Sequence, residues 1–172
     1  MGIDNFISNF AGGARANRFS VVVTWPGAVT KPGIADSIVV SAAQLPASIV
    51  GVAQAPYMGR FIPIPGDRTF EDWTITILND TTFAHRNAFE QWSNLILMNR
   101  ANIQGTPDYR SITTAITVNQ LDRQDNIIKT FNLLNAWPTT ISAIDLAYDQ
   151  NDSIETYSVT FAYASWQSNT TS

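Results

Sequence analysis

The sequence predicts a mainly β, α+β domain with a single long helix. Most of the chain divides into short segments in which apolar and small polar residues alternate, as in half-buried strands. Only residues 82–99 repeat apolar side chains at helical spacing. With 172 residues, 45% of them hydrophobic, the chain has the size of one domain and can bury a core. No internal repeat or linker interrupts it, so we expect one domain over residues 1–172.

The N-terminal arm, residues 1–17, predicts a short amphipathic helix that ends at Gly12-Gly13. Its apolar positions are Ile3, Phe6, Ile7 and Phe10. Residues 18–25 then predict a strand, and residues 36–44 predict its hairpin partner across a long tip at 26–35.

Residues 45–66 combine many prolines and glycines with many apolar side chains. The prolines are Pro46, Pro56, Pro63 and Pro65. Because proline is excluded from central strands, we expect a long, proline-stiffened loop here. An apolar loop is a liability in a monomer unless it packs against something, and long loops are more often functional than idle. We therefore predict an interface loop.

Residues 69–78 predict a strand with Trp73, Ile75 and Ile77 on its buried face. Asn79–Thr82 then offer side chains that can cap the helix of residues 82–99. The apolar face of that helix consists of Ala88, Phe89, Trp92, Leu95 and Ile96.

The C-terminal part predicts two hairpins separated by a break at Trp137-Pro138. Their strands are expected at 111–120, 126–135, 141–148 and 154–166. Residues 167–172 are expected to form a flexible tail. The polar faces of these strands are small and uncharged, without the lysines that usually protect exposed strand edges. We interpret this as sheets that continue across subunit boundaries, although chance enrichment in threonine gives the same pattern.

Charge is sparse throughout the chain. Asp, Glu, Lys and Arg make up 14% of residues, against about 25% in an average soluble domain. The net charge is −4 and the only lysines are Lys31 and Lys129, so a basic surface for nucleic acid is not predicted. A surface this poor in charge suits a subunit covered by neighbours, and equally an ordinary threonine- and asparagine-rich β domain.

The residues that carry chemistry are few. Without cysteine and with one histidine, His85, the chain offers no disulfide, thiol nucleophile or multi-histidine metal site. Phosphate-binding and nucleophile motifs are absent, and the adjacent Glu71 and Asp72 would point to opposite faces of a strand. His85 is expected at the surface or at a helix cap. We therefore expect no enzyme, no catalytic residue, no cofactor and no metal.

Membrane insertion and secretion are not expected either. No apolar run approaches the roughly 20 residues that span a bilayer. Residues 1–6 lack the basic start and apolar stretch of a signal peptide. We expect a soluble protein made in the cytoplasm, with no membrane contact.

Several segments resemble the tail tube proteins of contractile-tailed bacteriophages, which are related to type VI secretion inner-tube proteins. The most specific is GDRTFEDW at residues 66–73. The others are LPASIV at 45–50, YMGR at 57–60, FEQW at 89–92, WPT at 137–139 and IETYSVTF at 154–161. Together they cover nearly the whole chain in order, whereas residues 26–35 and 105–125 depart from the pattern and inherit no detailed role.

The resemblance implies an antiparallel β-sandwich or small barrel with one flanking α-helix. It implies a structural virion protein: homohexameric rings whose sheets join around a lumen, stacked by self-assembly into the inner tube of a contractile tail in the host cytoplasm. Implied partners are further copies, the tail sheath, tape-measure, baseplate and tail terminator proteins. DNA would pass through at ejection without specific binding, which suits an acidic wall that does not attract phosphates.

Within this framework we predict subunit or ring contacts in residues 2–10 and in the interface loop. Gly66 is expected to permit a tight turn, Asp67 and Arg68 to pair with each other or across subunits, and Trp73 to lie in the core. The candidate interface residues are Ile3, Phe6, Ile7, Pro46, Ile49, Tyr57, Met58, Arg60, Phe61, Asp67 and Arg68.

Two other functions stay open. A type VI secretion inner-tube protein would share the fold and export effectors. A carbohydrate-binding β-sandwich module would use tryptophan and tyrosine as sugar platforms, and would be a stable monomer with an exposed aromatic strip.

Overall fold

The computed structural model describes residues 2–10, 13–33 and 38–171, with only the backbone described for Asp4, Phe6, Ile7 and Asn9. The helices are α1 (Ile3–Phe10), α2 (Ala84–Ile96) and α3 (Tyr109–Ile112). The strands are β1 (Phe19–Val23), β2 (Val40–Ala43), β3 (Ile49–Tyr57), β4 (Arg60–Thr69), β5 (Trp73–Leu78), β6 (Thr114–Leu121), β7 (Ile127–Ile141), β8 (Thr156–Ala162) and β9 (Ser165–Ser168).

Seven of these strands form one antiparallel sheet in the order β1-β6-β7-β8-β5-β2, with β9 paired to β7. The two ends of this sheet meet, because the Ile38 amide, just before β2, donates to the Val21 carbonyl in β1 at 3.2 Å. The sheet therefore curls into a small barrel, and β3 and β4 form a separate two-stranded sheet. This confirms the predicted mainly β architecture with one long helix.

The first predicted hairpin is wrong. β1 pairs with β6 and β2 pairs with β5, so the strands on either side of residues 26–35 are not hydrogen-bonded to each other as a ladder. The register explains the preference, since Val21 and Val23 lie opposite Val118 and Ile116. All four side chains are at most 1% exposed, so long-range pairing buries them together.

The predicted break at Trp137-Pro138 is wrong, because β7 continues through both residues. Its first part pairs with β6 and β9, and its last part pairs with β8. The register shifts between Pro138 and Thr140, a bulge that accommodates a residue without an amide proton. The predicted strand at 141–148 is also wrong, because residues 142–155 form no strand. The last hairpin therefore joins the end of β7 to β8.

The C-terminal tail is more ordered than expected. Residues 165–168 form β9 on β7, and the Ser168 and Thr171 backbones bond to each other in both directions. Near the start of β6, residues 109–112 are helical instead of extended, because the Asp108 side chain caps α3 by accepting from the Arg110 amide at 3.1 Å.

α2 confirms the predicted long helix. Asp80 caps it, as its Oδ1 accepts from the Ala84 amide at 3.1 Å, and a hydrogen bond from the Thr82 hydroxyl lowers the pKa of Asp80. His85, however, is buried, so the expected surface position is wrong. It lies three, four and seven residues before Ala88, Phe89 and Trp92, which puts it on the same buried face of the helix.

The core is an aromatic cluster between α2 and the sheet. Phe89 lies 4.8 Å from Trp25 and 5.9 Å from Phe161 between ring centroids. Trp92 is fully buried, and its Nε1 donates to the Ile112 carbonyl at 2.7 Å. Trp73 is 3% exposed, which confirms its predicted core position. Alternate residues of the strands complete the core: Val21, Val23, Ile75, Ile77, Ile116, Val118, Leu133, Tyr157, Val159 and Phe161.

Candidate subunit interface

The predicted interface loop is a β-hairpin. We call residues 49–69, which comprise β3 and β4, the proline hairpin. All ten residues of β4 and seven of the nine in β3 are exposed. Its two-residue tip, Met58-Gly59, has positive φ at both positions, 46° and 77°. A two-residue turn needs these angles if its twist is to match that of the two strands. The loop expectation is thus corrected, because proline is compatible with a two-stranded ribbon that has two free edges.

The register explains how three prolines fit into these strands. Pro56 lies opposite Phe61, Pro63 opposite Gln54, and Pro65 opposite Val52. In an antiparallel ladder, every second pair exchanges two hydrogen bonds and the pairs between point their backbone groups outward. All three prolines lie in pairs whose backbone groups point outward. The ladder between β3 and β4 therefore loses no hydrogen bond, and the positions without an amide proton are on the free edges.

Large apolar side chains cover both faces of the proline hairpin. Tyr57 and Met58 at the tip are 61% and 86% exposed, and Phe61 is 69% exposed. The others are Ile49, Val50, Val52, Ile62 and Ile64, each at least 45% exposed. Exposed apolar surface concentrated in this way is typical of interaction sites. The predicted residues Ile49, Tyr57, Met58, Arg60 and Phe61 are brought together here.

Gly66 does not make the predicted tight turn. It lies within β4, where Gly66 and Asp67 together face Gly51, a bulge between the pairs Val50–Arg68 and Val52–Pro65. A Cβ atom on Gly66 would lie 3.0 Å from the Gly51 carbonyl oxygen. The glycine therefore permits a close approach of the two backbones.

Two tryptophan side chains hold the segment that leads into the hairpin. Trp73 Nε1 in β5 donates to the Gln44 carbonyl at 2.6 Å, and Trp166 Nε1 in β9 donates to the Ala47 carbonyl at 3.0 Å. Pro46, between the two acceptors, is buried within the subunit and is not a surface contact. The role of Trp166 was not predicted, since nothing in its local pattern indicates that it reaches residue 47.

Asp67 and Arg68 do not pair with each other among the described residues. They are neighbours on β4 and point to opposite faces. The ion pairs that the described part of the chain contains are Arg18–Asp125 and Arg86–Glu90, each at 2.8 Å. Of the two predicted alternatives for Asp67 and Arg68, pairing across subunits is therefore the one still open.

The N-terminal arm carries the second candidate surface. Ile3 and Phe10 of α1 are 75% and 57% exposed, whereas the side chains of Phe6 and Ile7 lie outside the described part of the structure. Behind α1 the chain is fixed to β6, because Gln120 Nε2 donates to the Arg15 carbonyl at 2.7 Å and to the Arg18 carbonyl at 2.8 Å.

The described residues contain no cluster of histidine or acidic side chains that could hold a metal ion. The helices of the described residues are all too short or too polar to span a bilayer.

Known proteins match this chain over most of its length. The model of the phage tail tube protein family matches residues 14–169. The tail tube protein gp19 of Enterobacteria phage T4 is 30% identical over 169 residues, which cover 97% of this chain and 100% of that protein. These names denote a structural role, which confirms the expectation that the chain is not an enzyme.

Solved structures share the fold. A chain of the anti-feeding prophage tube-terminating cap superposes with a TM-score of 0.68 at 15% identity, covering 91% of this chain and 90% of that one. A chain of the PVC sheath–tube complex, from an extracellular contractile injection system, gives 0.60 at 17% identity, covering 94% and 96%. With a family model that spans most of the sequence and a relative that matches from end to end, this protein belongs to the phage tail tube protein family, structural components of the virion tail.

Proposed function

We propose that six copies of this chain form a ring and that stacked rings make the inner tube of a contractile phage tail, through which DNA passes at ejection. The observation that carries the proposal is the proline hairpin, an apolar two-stranded sheet outside the barrel. Isolated two-stranded sheets are marginal in water, so this one needs a partner surface.

The hairpin contacts a neighbouring copy through its exposed apolar side chains. Burying Tyr57, Met58 and Phe61, which are 61%, 86% and 69% exposed in the free subunit, supplies the hydrophobic driving force. Arg60, Asp67 and Arg68 on the same hairpin make ion pairs across the contact, and desolvated charges of this kind fix register and orientation. The exposed face of α1, with Ile3 and Phe10, makes a second contact between copies.

We infer that DNA slides along the tube wall because the chain has few cations and its threonine and asparagine side chains bond to one another. Between β6 and β7, Thr117 donates to Asn132 and Thr130 donates to Asn119, each at 2.9 Å. Side chains bonded to one another in this way offer little to a phosphate, and a chain with net charge −4 does not attract one.

The tube lies inside a sheath and around a tape-measure protein, between a baseplate and a tail terminator. The likeness to chains of a sheath–tube complex and of a tube-terminating cap supports partners of this kind. These partners contact surfaces outside the proline hairpin and α1, because the hairpin and α1 contact other copies of this chain.

Electron microscopy of the purified protein tests the proposal. We expect six-membered rings or tubes from the unmodified chain, and folded subunits without tubes from M58D/F61D or from a chain lacking residues 2–10. The control is I103D/L146D, which puts the same two charges at exposed apolar residues outside the hairpin, 63% and 77% exposed. Normal tubes from M58D/F61D, or particles that stay monomeric at high concentration in the unmodified protein, would contradict the proposal.

A type VI secretion inner-tube protein is the second candidate, because such a protein would have the same fold and would also assemble as rings. Neighbouring genes separate the two: tape-measure and head genes for a phage, secretion ATPase genes for the alternative. A carbohydrate-binding module is disfavoured by the tryptophans, since three are buried and Trp137 and Trp166 are only partly exposed. They form no open aromatic strip for a sugar.

A further inference from the structure

The two edges of the proline hairpin differ in their backbone donors. Between the tip and the glycine bulge, the outward residues on the free edge of β4 are Phe61, Pro63 and Pro65, so only Phe61 keeps an amide proton there. Along the free edge of β3 the outward residues are Val52, Gln54 and Pro56, and the first two keep theirs. A strand added to this half of β4 would therefore meet carbonyl groups with almost no donors between them.

This asymmetry matters because β4 otherwise has the features of a self-associating strand. It is ten residues long, exposed throughout, and contains Phe61, Ile62 and Ile64 in one short run. Exposed apolar edge strands template pairing with other chains, and the same edge on two copies can pair about a two-fold axis. A subunit that waits in solution before assembly carries this edge uncovered.

We propose that Pro63 and Pro65 close the β4 edge to strand addition, so that a second copy of this chain meets the hairpin through its side-chain faces and not through β4 backbone pairing. The inference rests on the proposed role of the hairpin as a contact between copies. The prolines keep free subunits from joining edge to edge, and leave the apolar faces available for the ordered contact.

Charged residues frame the same segment. Arg60 precedes it and Asp67 and Arg68 follow it, all three exposed. Charges that flank an apolar strand oppose its stacking into fibres, as does proline at an outward position. Arg60 and the two prolines lie in the tip half of β4, whereas Asp67 lies in the glycine bulge and Arg68 follows it.

The test restores the two missing donors in the full-length chain with P63T/P65T. Thr is β-branched and suits a strand, so the hairpin is preserved while its β4 edge gains amide protons. The matched control is V52T/Q54T, which changes the cross-strand partners on the same face and leaves the number of donors unchanged. Both proteins are compared with the unmodified chain at a concentration at which the unmodified chain stays dispersed.

We expect P63T/P65T to give a several-fold rise in thioflavin T fluorescence and fibres without a lumen in electron micrographs. In those fibres the amides of residues 63 and 65 should be protected from hydrogen exchange. V52T/Q54T should stay dispersed. If P63T/P65T remains as dispersed as the unmodified chain, the inference is overturned. It is also overturned if V52T/Q54T aggregates as much as P63T/P65T. Because M58D/F61D tests tube growth and this comparison tests free subunits, either idea can fail without the other.

Discussion

Gly51 and Gly66 face each other across the proline hairpin, and a side chain on Gly66 would press on the Gly51 carbonyl at 3.0 Å. That oxygen belongs to backbone and cannot turn aside, so Gly66→Ala must shift the two strands apart at the bulge. We expect faster amide exchange in the tip half of the hairpin and weaker tube growth, with the thermal midpoint of the subunit nearly unchanged. Gly27→Ala is the control, because a Cβ there meets nothing within 4 Å. Unchanged exchange in Gly66→Ala would contradict the prediction.

Tyr157 is buried in β8, and its hydroxyl has no hydrogen-bond partner among the described residues. Burial raises its pKa, and Arg86, whose guanidinium carbon lies 5.1 Å from the ring centroid, opposes that rise. An unpaired buried hydroxyl costs free energy, so Tyr157→Phe should leave the free energy of unfolding unchanged or increase it by up to about 1 kcal/mol. Denaturant unfolding measures this. A loss of more than about 1 kcal/mol would reveal a partner for the hydroxyl.

The buried His85 should make folding sensitive to mild acid. Burial lowers its pKa, and the nearby negative charge of Asp80 only partly opposes this. Below the unfolded pKa of about 6.5, the unfolded chain binds a proton that the folded chain does not, so the free energy of unfolding falls as pH decreases. Unfolding curves between pH 7 and pH 5, about the range in which histidine titrates, should show this slope. The slope should be reduced in His85→Gln, and an equal slope in both proteins would exclude His85 as its source.

Trp166 is expected to stabilise the base of the proline hairpin. Its indole donates to the Ala47 carbonyl and its ring lies 5.5 Å from that of Phe131. Trp166→Phe keeps an aromatic ring and removes the donor, so the loss should be about 1 kcal/mol in the free energy of unfolding. Amide exchange should increase in residues 44–49. Gln167→Ala, at the exposed neighbouring position, controls for effects of changing β9; equal exchange in both variants would contradict the anchoring role.

The parts of the fold that local pattern predicts are those whose burial repeats along the chain. α2 and the core faces of β5, β6 and β8 have such a repeat, and Ile75, Val118 and Val159 lie where alternation puts them. Even the burial of His85 was predictable, because it has helical spacing to Phe89 and Trp92. It was missed because histidine is polar. The order of strands was not predictable, because the alternating segments of β1 and β2 are compatible with several partners.

Composition singled out the segment that carries the candidate interface, but its conformation was predicted wrongly. The apolar residues at 49–64 indicated an interface, which stays a prediction, while the prolines argued wrongly against strands. Their spacing of two between Pro63 and Pro65 is the signal that allows a strand, since it puts both on one edge. The tryptophan anchors at Gln44 and Ala47 depend on contacts between distant parts of the chain, for which a single sequence contains no local signal.

The fifteen-residue β7 has a mechanical consequence. It is a single strand that is bonded to β6 and β9 along one half and to β8 along the other, with Asn135 in a left-handed conformation between them, φ 54°. The two halves of the barrel are thus joined by continuous backbone instead of a flexible connection. A shear load on one half reaches the other through covalent bonds, and neither half can open alone without bending β7 near residue 135.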